Sequence, residues 1–140
     1  MFGSTEGQKR AALAVLRVGI GIVFMMHGYQ KLFIMGHAGV TGFFGSLGIP
    51  MPGASAWLVS CLEFGGGILL IVGAFVRPIA LMLAFDMLVA ILTLHIKNGF
   101  FMGEKPGVEF VMTLMVGAIA IVIGGSGSFS VDDEIRRHRA

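Results

Sequence analysis

Four apolar stretches, at residues 11–34, 56–76, 78–96 and 107–123, dominate the chain. Each is near the ~20 residues that a helix needs to cross a hydrocarbon core about 30 Å thick. Inside a bilayer no water can bond a free backbone N–H or C=O, so a spanning segment is either a helix or a strand of a closed barrel. No barrel-type alternation of apolar and polar residues is visible, which leaves helices. The last stretch is the shortest and reaches about 26 Å at ~1.5 Å per residue.

Composition agrees. Of 140 residues, 56% are hydrophobic and 13% are charged, with a mean hydropathy of +0.89; an ordinary soluble domain carries about 25% charged residues. The expected fold class is an all-α membrane protein, a four-helix transmembrane bundle forming one domain over residues 1–140. Lys9, Arg10, Arg77, Arg136, Arg137 and Arg139 fall on one side of this topology and Lys31, Lys97 and Lys105 on the other. The positive-inside rule then expects both termini in the cytoplasm. A net charge of +2 with basic residues confined to ends and loops is a topology signal, and no nucleic-acid partner is expected. Cys61 is the only cysteine, which excludes an intrachain disulfide, a CxxC pair and dithiol chemistry. The first apolar run follows Lys9 and Arg10 as a secretory signal would, but it is too long and lacks a small-x-small cleavage site, so it reads as a retained helix.

The connections carry their own signals. Residues 36–55, GHAGVTGFFGSLGIPMPGAS, are too apolar for a free loop and suit a short interfacial segment, or one folded back over the helix ends. Arg77-Pro78 joins the second and third helices almost without a loop, with Pro78 suited to a first helical position. The tail GGSGSFSVDDEIRRHRA turns polar, and Arg136, Arg137 and Arg139 suit anionic headgroups.

Ionisable residues inside an apolar span are costly and mark polar sites. Arg17, Gly21, Phe24, Gly28 and Lys31 share one stripe of the first helix, with His27 at its edge, so this stripe should face protein. Counting rise from the helix ends places Arg17 and Asp86 about 9 and 12 Å from the cytoplasmic face, an expected pair. His27, Glu63 and His95 come at about 24, 20 and 25 Å, with Glu109 higher still. The expected catalytic cluster is therefore His27, Glu63, His95 and Glu109, flanked by Arg17 and Lys31 as ligand-binding cations. Histidine and carboxylate in an apolar site exchange protons near neutral pH, which suits a quinone oxygen. Three other readings stand beside this one. The polar groups can simply fix packing; two Glu and two His can hold metal, although Glu-x-x-His is absent; and His27 with His95 can hold a haem. Lys31 can also snorkel outward.

LRVGIGIVFMMHGYQKLF, CLEFGGGILLIVGAFVRPIAL, LVAILTLH, Glu109 within GVEFVMTL, and GGSGSFSVDD together give the chain a specific character over nearly its whole length. In these motifs it resembles the DoxX family of small four-helix bacterial membrane proteins. The resemblance implies a multi-pass protein of the bacterial inner (plasma) membrane, serving a membrane oxidoreductase system. Relatives include a subunit of a thiosulfate:quinone oxidoreductase and proteins linked to quinone resistance or oxidative-stress complexes. Arg17, His27, Lys31, Glu63, His95 and Glu109 fall on the family's polar positions, whereas Asp86 matches none. A quinone is the cofactor to consider, since no flavin, haem or Fe–S motif is present. Electrons would come from a partner, and the expected partners are membrane lipid and other membrane subunits or a homo-oligomer. The rival expectation is a non-catalytic accessory subunit of a larger respiratory or photosynthetic complex.

Overall fold

A computed structural model describes residues 5–140, and among them every regular element is helical. Helix α1 (Glu6–Tyr29) continues through a π-helical segment, Gln30–Met35, into α2 (Gly36–Ser46). Then come α3 (Pro52–Val72), α4 (Val76–Ala90) with a π-helical turn at Ile91–His95 and a 3-10 turn at Ile96–Asn98, α5 (Val108–Gly124) and α6 (Val131–Arg139). Three helical runs, Glu6–Ser46, Pro52–Val72 and Val76–Asn98, are long and apolar enough to cross a membrane, and α5 is a shorter apolar helix. The α1 helix packs on α3 and α5, and α4 packs on the same two. The core they enclose is built from Phe24, Leu70, Leu83, Met87, Leu114 and Ile121.

The stripe on α1 faces protein as its spacing demands: Arg17, Gly21, Phe24 and Gly28 are its buried residues. Two glycines set how closely α1 and α3 approach. A Cβ at Gly28 would collide with the Phe64 backbone, and one at Gly67 with the backbones of Met25 and Gly21. Without a hydrophobic force between helices in lipid, such close approach is what makes a stable contact.

Helix ends depart from the apolar stretches. The α3 helix begins with Pro52 in its first turn and stops before Gly73, whose φ of +78° no L side chain adopts without strain. The turn is Gly73-Ala74-Phe75, and Pro78 lies inside the first turn of α4, where its missing N–H breaks no helical bond. Residues 36–46 do fold back: Val40 and Phe44 of α2 pack on Ala56 of α3. Alongside them, His37 stacks on Trp57 with ring centroids 4.3 Å apart and planes at 14°.

The polar tail does more than meet solvent. Ser130 accepts a hydrogen bond from the Asp133 N–H and caps α6. Asp133 is buried and takes Arg10 of α1 as its ion-pair partner, with Arg136 at 2.6 Å and Arg137 at 3.0 Å. Both Asp132 carboxylate oxygens accept bonds, from the N–H groups of Phe75 and Val76, each at 2.9 Å, at the positive end of α4. Arg17 completes this end. Its Nε donates to the Ser126 carbonyl at 2.9 Å, Nη1 to Leu70 at 2.5 Å and Ile71 at 2.8 Å, and Nη2 to Ser128 at 3.2 Å and Phe129 at 3.0 Å. Five donors thus meet five carbonyls, including those that the end of α3 leaves without a helical partner.

Arg17 therefore does not pair with Asp86, and the reason is geometric. The end of α3 and the returning tail place a ring of carbonyls around the guanidinium, and Asp86 faces elsewhere.

Replacing Arg17 with Met orphans these carbonyls and should cost at least about 3 kcal/mol in detergent unfolding. Arg17→Lys should recover little of this, because an ammonium has three donors and no planar fork. The Asp133 carboxyl is held below its ordinary range, first by the Arg136 hydrogen bond and also by Arg10, while burial opposes this. Its contribution to docking α6 is then fully present above the unfolded value of about 3.9 and disappears as pH falls through the lower folded value. The α6 amides should keep their hydrogen-exchange protection factors down to about pH 4 and lose them below it.

Candidate functional site

The close crossing of α1 and α3 at Gly28 brings Lys31 beside Glu63. Lys31 Nζ donates to Glu63 Oε2 at 2.5 Å, with the two side chains 18% and 4% exposed. Helical side chains tilt toward their own N-terminus, so Lys31 reaches back toward the middle of the span. Snorkelling to the nearer end is not what this lysine does.

Asp86 of α4 faces the same pair, against Glu63 and near Lys31. Its Oδ2 is buried and has no hydrogen-bond partner among the described residues. This third member escapes a depth count made from the apolar stretches. With α3 ending at Val72, Glu63 lies about 14 Å from that end, and with α4 starting at Val76, Asp86 lies about 15 Å in. The two carboxyls therefore share a level, and shifts of four and two residues at the helix ends had hidden it. Lys31, Glu63 and Asp86 combine two carboxyls with one ammonium inside apolar helices.

The remaining expected residues gather around the start of α5 without bonding to Glu63 or to one another. The His27 ring packs on Phe110 with centroids 5.6 Å apart, and its Nδ1 lies 2.9 Å from the Val23 carbonyl. His95 Nδ1 is 3.1 Å from the carbonyls of Pro106 and Gly107. A carbonyl only accepts, so in both rings Nδ1 carries the hydrogen, an assignment made from the hydrogen-bond network. The Nε2 atoms are then the acceptors, and neither has a protein partner among the described residues. Glu109, in the first turn of α5, accepts from the Met102 N–H at 2.7 Å and fastens the preceding loop. The expected four-residue cluster thus separates into a mid-span carboxyl group around Glu63 and an end group of His27, His95 and Glu109. Among the described residues no three His, Cys, Asp or Glu side chains come close enough to hold a metal ion. Arg17 belongs to neither group, since its donors are committed to carbonyls at the opposite end.

Lys31 and His95 both lie in π-helical segments. Such insertions in membrane helices cost backbone geometry and frequently accompany functional sites. The sequence offers no direct signal for them, because one extra residue in a turn leaves apolarity unchanged.

Comparison with known proteins bears on this geometry. The model of the DoxX family matches residues 12–96. A Bacillus subtilis (strain 168) protein named "Putative oxidoreductase CatD" is 33% identical over 118 residues, covering 84% of this chain and 82% of its own. The Escherichia coli (strain K12) "Inner membrane protein YqjF" is 33% identical over 124 residues, covering 84% and 87%. The same organism's "Inner membrane protein YphA" is 33% identical over 73 residues, about half of each chain. No solved structure matches. The matched stretch contains Arg17, His27, Lys31, Glu63, Asp86 and His95, and it shows that this chain is an inner-membrane protein belonging to the DoxX family.

Proposed function

We propose that the chain is the membrane-embedded part of an oxidoreductase system, a single-domain transmembrane bundle of four helices with both termini cytoplasmic. It binds a quinone-class molecule at the polar groups around Lys31, Glu63 and Asp86. The observation that carries this reading is the buried Lys31–Glu63 pair beside Asp86, whose Oδ2 has no partner among the described residues. A buried polar atom without a partner is costly, and a site that keeps one gains most from a ligand that can satisfy it. The oxidoreductase name of the Bacillus subtilis relative points the same way.

In this reading a bound quinone supplies electron-accepting carbonyl oxygens that need protons when they are reduced. Lys31 donates a hydrogen bond to a ligand oxygen, and its charge favours the reduced form. Glu63 holds Lys31 in place, and Asp86 is the carboxyl that holds or releases a proton at Oδ2. His27 and His95 present their Nε2 atoms toward exchange with the nearer aqueous side. Electrons reach the site from a partner membrane subunit.

One observation favours a second reading. Arg17, His95 and Glu109 give their polar bonds to backbone, as residues of a non-catalytic accessory subunit would. Titration of the purified protein with ubiquinone and menaquinone analogues separates the two. Wild type should bind, and Glu63→Gln and Asp86→Asn should each weaken binding about tenfold. Glu109→Gln, away from the trio, should bind as wild type does. Equal binding by all four proteins rejects the site and leaves the accessory reading.

A further inference from the structure

At the end of the fold where α4 begins and α5 stops, a cavity of about 320 Å³ opens, lined in part by Arg10, Arg77, Gly125, Asp132 and Arg136. Its charges are not equally available. Asp132 is committed to the N–H groups of Phe75 and Val76, and Arg10 to Asp133. Glu6, also on the rim, faces Lys9 at 4.0 Å with its side chain 79% exposed. Arg77 differs from these. It makes no ion pair among the described residues and gives only a long bond, 3.5 Å, from Nη2 to the Ile123 carbonyl. Gly125, with a φ of +85°, lies beside this guanidinium on the cavity wall. Arg136, which also lines the cavity, uses Nη2 toward Asp133 and has further N–H donors.

The surroundings are the ends of apolar helices. Arg77 stands in the first turn of one apolar helix and the cavity closes over the last turn of another. Phe75 and Ile123, adjacent in sequence to cavity-lining residues, are 68% and 75% exposed. A guanidinium with unused donors, at the end of an apolar helix and flanked by exposed apolar side chains, matches a phosphodiester carrying acyl chains. From this we infer that the cleft receives the phosphate of an anionic phospholipid between Arg77 and Arg136, with the acyl chains along Phe75 and Ile123. The inference is independent of the quinone reading, because it concerns helix ends about 15 Å from the mid-span carboxyls.

The test uses the full chain in a neutral detergent, with lipid adducts counted by native mass spectrometry and thermal unfolding followed in parallel. Dioleoyl-phosphatidylglycerol should bind and raise the melting temperature, while dioleoyl-phosphatidylcholine and inorganic phosphate at the same concentration should do so far less. Arg77→Gln removes one long hydrogen bond from the fold and should weaken phosphatidylglycerol binding about tenfold. Arg139→Gln, which does not line the cavity, should bind as wild type does. Equal protection by phosphatidylcholine or by inorganic phosphate overturns the assignment, as does an Arg77→Gln variant that binds like wild type or an Arg139→Gln variant that loses as much.

Discussion

The guanidinium of Arg17 is the interaction on which the rest of this molecule depends. Lipid chains are as apolar as leucine, so no hydrophobic force pulls one membrane helix onto another, and cohesion falls to close packing and polar bonds. A charged group within an apolar helix is admissible only if every donor is met. Here the partners come from the last turn of α3 and from the loop at residues 126–129. One side chain on α1 therefore fixes the end of α3, the return of the tail and, through Ser130, the start of α6. Gly73 belongs to the same arrangement, since a Cβ there would run into Ser130 and approach the Arg17 guanidinium.

That clamp has a counterpart further along the same helix. Anchored at one end by Arg17, α1 passes α3 so closely at Gly21, Gly67 and Gly28 that Lys31 emerges beside Glu63. The two charged residues of the stripe thus serve different chemistry. Arg17 meets only carbonyls, which are fixed dipoles, and leaves nothing to titrate. Lys31 meets the Glu63 carboxylate, and Asp86 Oδ2 beside them is left over among the described residues.

Helices and their buried faces were legible because both depend on local pattern. Lengths near the bilayer thickness, a stripe of Arg17, Gly21, Phe24 and Gly28, and apolar residues in the 36–55 connection each correspond to what the structure contains. Long-range pairing was less legible, because depth along a helix is counted from its end and the ends depend on turn residues. Gly73 and Phe75 adopt left-handed conformations that composition does not announce, and they end α3 and start α4 early enough to exchange Asp86's expected neighbour. The α6 helix had a readable mark, Ser130 followed three residues later by Asp133, that its polar composition masked. Nothing local marks the two π-helical segments.

The stacking of His37 on Trp57 has a practical consequence. The chain contains a single tryptophan, and it lies on α3 under the first turn of α2, far along the chain from the Arg17 and Asp133 contacts. Intrinsic fluorescence of this protein is therefore an optical readout of one seam. It reports whether the segment after Gly36 is folded against α3, and it is blind to the state of the tail.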